Sequence, residues 1–228
     1  MVSWYVEPQS SIIRPMSFLE GVRPAETGDR PIAFSGRTER RLLTFGATIL
    51  TTGTQSVAMQ NDLGKPFLFI THGDILRAEL PRPTQVALFL DNSRLLFVPG
   101  SFGHSLQRQE EDLAEDTRFI RRVLNLPDIS QGLPRASEVT SALFQIMGKI
   151  RRPLGNLMIR TGTQTHEHDD EEGFRTAVVQ YFRGDKDGPA SLGIHGFPAD
   201  SGRENIGVLR WIVPSEASQL GESLTPNH

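Results

Sequence analysis

The chain has 228 residues, a mass of 25.4 kDa, a formal net charge of −3 and an isoelectric point near 6.1. This size predicts one large domain, or a core with long appendages, and the charge disfavours general binding to nucleic-acid phosphates. The residues are 37% hydrophobic and 22% charged, with no apolar stretch of membrane-spanning length and no secretory signal pattern at the start. There is no cysteine, which excludes disulfides and thiolate metal sites. We therefore expect a cytoplasmic protein with no membrane partner.

Residues 1–38 are predicted to form an extended N-terminal arm. Prolines at positions 8, 15, 24 and 31 leave no room for a helix of ordinary length. The arm is nevertheless rich in large apolar side chains, which are unfavourable in water. We expect it to lie on a surface, which is either the core of its own chain or a neighbouring subunit.

A block of β-strands is predicted to begin at Arg41. Strand-like apolar runs occupy residues 42–50, 67–70, 86–90 and 95–98. The polar residues 91–94 between the last two runs are typical of a turn, so these runs are predicted to form a β-hairpin.

Two amphipathic helices are predicted next. The first follows Ser105 and continues to about residue 125, with acidic residues early and arginines late, an order that suits the helix macrodipole. The second occupies 137–151. The faces predicted to be buried are Leu106, Leu113, Ile120 and Leu124 in the first helix, and Val139, Ala142, Leu143, Ile146, Met147 and Ile150 in the second.

The last part of the chain returns to a strand-like pattern at residues 157–159, 176–182 and 207–213. The order of elements predicts an α+β fold, with a largely antiparallel sheet in two β blocks separated by two helices. The domain division expected is an arm at 1–38, a single globular domain at 39–213, and a polar tail at 214–228.

One dense cluster of metal-ligating residue types lies between two of these predicted strands. In an extended conformation His166, His168, Asp170 and Glu172 would share one face. Imidazoles and carboxylates are ligands for divalent transition metals. The His-x-His pair, followed after three residues by Glu172, resembles the first metal motif of the cupin family. That resemblance implies a metal held by His166, His168, Glu172 and, from a later strand, His195.

A second interpretation of this cluster stays open. Cupin motifs carry glycines at set distances, but Gly162 is too close to His166 and no glycine stands at the set distance after Glu172. The two upstream helices also interrupt the strands of a cupin barrel. An acidic run between strands is typical of a solvated hairpin tip.

Two further histidines, His104 and His72, are candidate site residues. His104 and Ser105 stand before the first long helix, where an anion could bind, although Ser105 as a plain N-cap explains the pattern fully. His72 and Asp74 follow an apolar strand, but the chain has no Gly-x-Ser-x-Gly motif, so a turn histidine is the favoured interpretation.

The sequence favours a non-catalytic subunit or interaction module of a larger protein assembly over an enzyme. Its arm and its sheet edges would contact a protein partner or a second copy, and no cofactor is expected. The alternative is a metal-dependent enzyme with one divalent transition metal at the His-x-His site.

Overall fold

The computed structural model describes residues 31–71, 82–147, 157–165, 175–182 and 190–215. The helices within these ranges are α1 (Gly36–Thr44), α2 (Val57–Asp62), α3 (Ser93–Leu96), α4 (Leu106–Leu124) and α5 (Ala136–Ile146). The strands are β1 (Thr48–Thr51), β2 (Phe67–Ile70), β3 (Gln85–Leu88), β4 (Ile129–Gln131), β5 (Met158–Thr165), β6 (Arg175–Phe182), β7 (Ser191–Pro198), β8 (Ile206–Gly207) and β9 (Ile212–Pro214).

The strands form two sheets, and most of their pairs are antiparallel. One sheet has four strands in the order β1-β3-β9-β4, with every pair antiparallel. The other has five strands in the order β2-β7-β6-β5-β8, in which the two edge strands, β2 and β8, pair parallel to their neighbours. The predicted α+β fold with a largely antiparallel sheet is confirmed.

Helix α5 lies in the main core, between the two sheets. Its buried side chains pack in one cluster with Val86 and Leu88 of β3 on one side and with Val179 and Ile194 of the five-stranded sheet on the other. The opposite face of β3 carries Ala87, which joins a second cluster with α1 and α4. The four-stranded sheet is therefore covered by helices on both faces.

Both long helices match the sequence expectation closely. Helix α4 begins after the N-cap Ser105 and ends at Asn125, whose left-handed backbone conformation (φ 50°) closes the helix. Helix α5 begins after Arg135, whose backbone N–H donates to Glu138 Oε2 at 2.7 Å. The predicted inner faces are buried at Leu113, Ile120 and Leu124 in α4, and at Val139, Ala142, Leu143 and Ile146 in α5. Leu106 and Met147 are only half-buried, and the predicted last residues of the second helix, including Ile150, lie outside the described ranges.

The predicted strand over residues 42–50 is wrong in its first half. Ser35 Oγ accepts a hydrogen bond from Thr38 N and caps α1, which buries Thr38 and Leu42, four residues apart, against the four-stranded sheet. The strand begins only at Thr48. Since α1 spans the predicted boundary at residue 38, the end of the proposed arm is helical.

The predicted hairpin over residues 86–98 is also wrong. The carbonyl oxygen of Asn92 accepts from Leu95 N at 2.9 Å and from Leu96 N at 3.0 Å, so the second run begins as the short helix α3. Strand β3 pairs instead with β1 and β9, which come from distant parts of the chain. The local turn signal was overridden by these long-range pairings.

The predicted strand over residues 207–213 is split between the two sheets. Its first part is β8 in the five-stranded sheet and its last part is β9 in the four-stranded sheet. Between them Leu209 makes an isolated bridge to Phe97, and the Arg210 side chain is buried. Pro214, the first residue of the predicted tail, pairs with Ile129 in β4.

Strand β7 was not predicted because it contains two glycines, which disfavour strands. Gly193 is required by packing, since a Cβ there would lie 2.8 Å from Phe182 and would also meet the ring of Phe69. The edge-on contact between these two rings, with centroids 5.6 Å apart, covers the glycine.

Candidate functional site

An open cleft of about 380 Å³ lies between the end of β1, helix α2 and helix α5. Most of its lining is polar and uncharged. The lining residues are Thr51, Gly53, Thr54, Gln55, Gln60, Lys65, Ser141, Phe144 and Gln145.

The loop after β1 forms one wall of the cleft. Hydrogen bonds join this loop to the chain beside β3 and to α5. Thr52 N donates to Thr84 O at 2.9 Å, and Thr84 N donates to Thr52 Oγ1 at 3.1 Å, which ties the loop to the chain beside β3. On the other side Gly53 N donates to Ser141 Oγ of α5 at 2.9 Å. A Cβ at Gly53 would lie 3.2 Å from that oxygen, so glycine allows this close approach.

Gln60 of α2 links the loop after β1 to α5 by hydrogen bonds. Its Nε2 donates to Gln55 O and to Ser137 O, both at 3.0 Å. The side chain is 1% exposed, and Oε1 has no hydrogen-bond partner among the described residues. The reverse orientation of the amide would place its oxygen against two carbonyl oxygens, so these bonds assign the orientation.

The third wall is the partly exposed face of α5. Ser141, Phe144 and Gln145 follow the three- and four-residue spacing of one helix face, and Gln145 Nε2 donates to Thr51 O at 2.9 Å. The ring of Phe144 meets Phe67 edge-on at 5.1 Å. Phe144 therefore connects the cleft to strand β2.

Lys65 is the lining residue that carries a formal charge. Its Nζ lies 5.8 Å from the centroid of the Phe144 ring, and no ion pair to it is formed within the described ranges. Among the described lining residues there is no histidine and no carboxylate.

Exposed apolar side chains occur on α2 and on β2, the two elements on either side of Lys65 in the chain. This strand is at an edge of the five-stranded sheet, and its Leu68 is 60% exposed. Met59 and Leu63, one helical turn apart at the end of α2, are 41% and 62% exposed. We call Met59, Leu63, Leu68 and the free side of β2 the β2 edge surface.

The predicted metal residues are not brought together in the described part of the chain. His166, His168 and Glu172 lie outside it, so the predicted metal site stays a prediction. His195 is in β7, half-buried, with its ring centroid 6.1 Å from that of Phe69. Among the described residues no group of three His, Cys, Asp or Glu side chains is placed to hold a metal ion.

The other two histidine predictions have separate outcomes. Ser105 caps α4, with its Oγ 3.5 Å from Arg108 N, as the favoured interpretation required. His104 Nδ1 lies 2.7 Å from Asp112 Oδ2, and Arg108 pairs with the same carboxylate, so this histidine has a carboxylate partner on α4. His72 and Asp74 are outside the described residues.

Sequence reasoning missed the cleft because its residues are common ones from four separate segments. Two signals were available. The run from Thr51 to Ser56 is polar and glycine-containing, and α5 carries Ser141 and Gln145 four residues apart beside its apolar face. Neither signal shows that the two segments meet.

Among the described helices none is long and apolar enough to cross a membrane. In comparisons with known proteins, no family model, no curated protein and no solved structure matches this chain. Its function must therefore be argued from the cleft and from the β2 edge surface.

Proposed function

We propose that this protein is a non-catalytic subunit of a protein assembly, and that it contacts its partner through the β2 edge surface. One observation carries the proposal: an edge strand whose leucine is 60% exposed follows closely in the chain after a helix end with two more exposed apolar side chains. An apolar edge strand of this kind is a ready template for pairing with another chain.

The edge position supplies backbone hydrogen-bonding groups as well as apolar contacts. β2 pairs with β7 on one side, and on its other side no strand of the described chain pairs with it. Soluble proteins usually protect such an edge with charges or prolines. Here Lys65 and Pro66 stand only before the strand, whose own sequence, Phe67 to Ile70, is entirely apolar.

The partner we propose is a second copy of this chain. Two copies of β2 that pair antiparallel about a two-fold axis would place apolar side chains opposite one another along the whole strand. The exposed side chains of α2 would extend the same contact. Such a contact joins two five-stranded sheets into one continuous sheet.

Sedimentation velocity of the full chain tests this proposal. The wild type should sediment with a mass that is a multiple of 25.4 kDa. Leu68→Lys should shift it towards the monomer, because a charge in the middle of the strand must be desolvated on pairing. Leu43→Lys is the matched control, since Leu43 is 50% exposed on α1, away from β2, and should leave the mass unchanged.

A monomeric wild type at every concentration tested would overturn self-assembly through β2. If the wild type assembles and Leu68→Lys has the same mass, the contact lies on another surface and the proposal is wrong. Hydrogen exchange gives an independent readout, because the amides of 67–71 should gain protection on assembly in the wild type only.

The N-terminal arm is proposed as a second contact, but only its first 30 residues are available for it. Ile32 forms a bridge with Thr84, and Phe34 is 7% exposed in the cluster under the four-stranded sheet. This end of the arm therefore packs within its own chain. Deletion of residues 1–30 should weaken assembly and leave the fold intact, whereas deletion of 1–38 should also destabilise the fold by removing Phe34 and the Ser35 cap.

A further inference from the structure

The second half of α4 exposes apolar and basic side chains next to one another. Phe119 and Val123 are four residues apart on the helix and are 56% and 50% exposed. Arg118 and Arg122, with the same spacing, are exposed beside them, and within the described ranges neither is in an ion pair. Exposed apolar groups with unpaired cations around them are typical of a contact surface rather than of a solvated helix face.

Arg41 joins this part of α4 to α1. Its Nε donates to Leu124 O at the end of α4, and its guanidinium lies 5.6 Å from the centroid of the exposed Phe45 ring. Arg37, one helical turn before Arg41, is exposed as well. Beneath them Leu42 and Leu124 pack in the same buried cluster, so the two helices are in contact. The α1–α4 surface is defined as Arg37, Arg41, Phe45, Arg118, Phe119, Arg122 and Val123.

The described part of the chain ends at Ser215, beside the start of α1. Ser215 N donates to Asp128 O at 2.8 Å, and Asp128 Oδ2 accepts hydrogen bonds from Ser35 Oγ and Thr38 Oγ1. Asp128 also follows closely after the end of α4. Residues 216–228 therefore continue from a point between the ends of the two helices that form the surface.

The length of this last segment is sufficient for it to cover the surface. At about 3.3 Å per residue, residues 216–228 span up to about 40 Å when extended. Phe119 lies only about 9 Å along the helix axis from Asn125, the residue that closes α4.

The composition of the segment is complementary to the surface. It contains Glu216 and Glu222, no lysine or arginine, and two apolar side chains, Leu220 and Leu224. The segment 1–30 also lies outside the described residues, but it carries three arginines, which the arginines of the surface would repel. The last segment is therefore the better occupant.

We propose that residues 216–228 dock on the α1–α4 surface of their own chain. The two glutamates pair with arginines of the surface, and the two leucines cover its apolar side chains. Because the segment is tethered beside the surface, its effective concentration is of order millimolar, and a weak contact is sufficient. The contact shields exposed apolar groups from non-specific association. It is separate from the β2 edge surface and does not depend on assembly.

Paramagnetic relaxation tests the proposal, since a chain without cysteine accepts a single nitroxide label at Ser223→Cys. In the labelled full chain the backbone amides of 41–45 and 117–124 should lose most of their intensity relative to the same sample with the nitroxide reduced. Ser223 is far enough from Ser215 that the attachment point alone does not fix the label on this surface.

Charge reversal shows whether the contact is specific. Arg118→Glu with Arg122→Glu should restore the lost intensity, because the altered surface repels the two glutamates. Both arginines are exposed, so this variant should fold normally. Arg203→Glu, which reverses an exposed cation between β7 and β8, is the matched control and should leave the loss unchanged. Adding Glu216→Arg and Glu222→Arg to the reversed surface should bring the intensity loss back.

Three results would overturn the proposal. The first is full intensity in 117–124 of the labelled wild type. The second is an intensity loss that stays the same in Arg118→Glu, Arg122→Glu, which would mean that no charge pairing is involved. The third is a loss of the same size in isotope-labelled chains without nitroxide when they are mixed with nitroxide-labelled chains, which would assign the contact to a second copy.

Discussion

Arg210 and Arg160 are both completely buried, one beside each sheet, and their charges are accommodated in different ways. Arg210 makes a bidentate ion pair with Asp116 of α4, with Nε at 2.8 Å from Oδ2 and Nη2 at 2.7 Å from Oδ1. Its Nη1 donates to Leu95 O at 3.0 Å, and Gln131 Nε2 donates to Asp116 Oδ2. This guanidinium is therefore neutralised by a carboxylate that is itself buried.

Arg160 of β5 has neutral hydrogen-bond acceptors instead. Nη1 donates to Thr176 Oγ1 and Pro198 O, Nη2 donates to Ser201 O at 2.8 Å, and Nε has no partner in the described part of the chain. Its guanidinium lies 5.4 Å from the centroid of the Phe197 ring. Burial lowers the pKa of Arg160 to about 10, and no carboxylate among the described residues is paired with it.

The comparison shows two ways in which a buried arginine joins segments that are distant in sequence. The Arg210 pair holds α4 to the chain between β8 and β9, where it crosses from one sheet to the other. Arg160 ties β5 to the end of β7 through carbonyl oxygens. Removal of one partner of a buried charge pair is strongly destabilising, because the other charge stays buried and unpaired. Removal of a buried charge that has no charged partner costs less, because its desolvation penalty is removed with it.

The largest effect is expected for Arg210→Met. It leaves the Asp116 carboxylate buried without its charge partner, so the free energy of unfolding should fall by about 3–5 kcal/mol. Urea denaturation measures this loss. The double variant Arg210→Met, Asp116→Leu removes both charges and should recover a large part of it. A single-variant loss below about 1 kcal/mol would mean that the pair contributes little.

Arg160→Met should have a smaller effect, with a loss of about 1–2 kcal/mol in the same measurement. The variant loses hydrogen bonds to neutral acceptors, but it no longer buries a charge that has no carboxylate partner. A loss as large as that of Arg210→Met would contradict the comparison, because it would show that neutral acceptors stabilise the guanidinium as well as a carboxylate does.

Alkaline pH should change the stability difference between wild type and Arg160→Met. The folded-state pKa of about 10 is below the ordinary arginine value of the unfolded chain, so below pH 10 both states are protonated and the penalty of the buried charge is fully present. As the pH rises through this window, the folded state loses the proton first and the penalty is relieved. The wild type should therefore gain stability relative to the variant as the pH rises above about 10. A constant difference would contradict the lowered pKa.

Arg203→Ala should have the smallest effect. The Arg203 guanidinium lies 4.8 Å from the centroid of the Phe197 ring, but the side chain is exposed, so we expect a loss of about 0.5–1 kcal/mol. Thermal unfolding next to Glu204→Ala, an exposed neighbour, provides the control. A loss above that of Arg160→Met would mean that Arg203, rather than Arg160, carries the contact with Phe197.

The sequence by itself determined the features that depend on local periodicity and capping. Both long helices and their buried faces were predicted, because apolar residues three and four apart specify an inner face whatever it packs against. Strand β6 was predicted from the strand-like pattern of residues 176–182, and the α+β class followed from the order of elements. The Ser105 cap was predictable because it depends only on the helix that it begins.

Tertiary structure alone decided the features that depend on long-range partners. The apolar run at 42–50 is a helix in its first part and a strand in its second. The Ser35 cap favours a helix start, and packing of α1 against the second cluster buries Leu42. The chain after residue 206 divided between two sheets, and the buried Asp116 partner of Arg210 comes from a helix 94 residues earlier. The cleft likewise needs the loop after β1 to meet α5, through bonds such as Gly53 to Ser141. Hydrogen bonds and charge pairs between distant segments leave no periodic pattern in a sequence, so only the folded chain shows them.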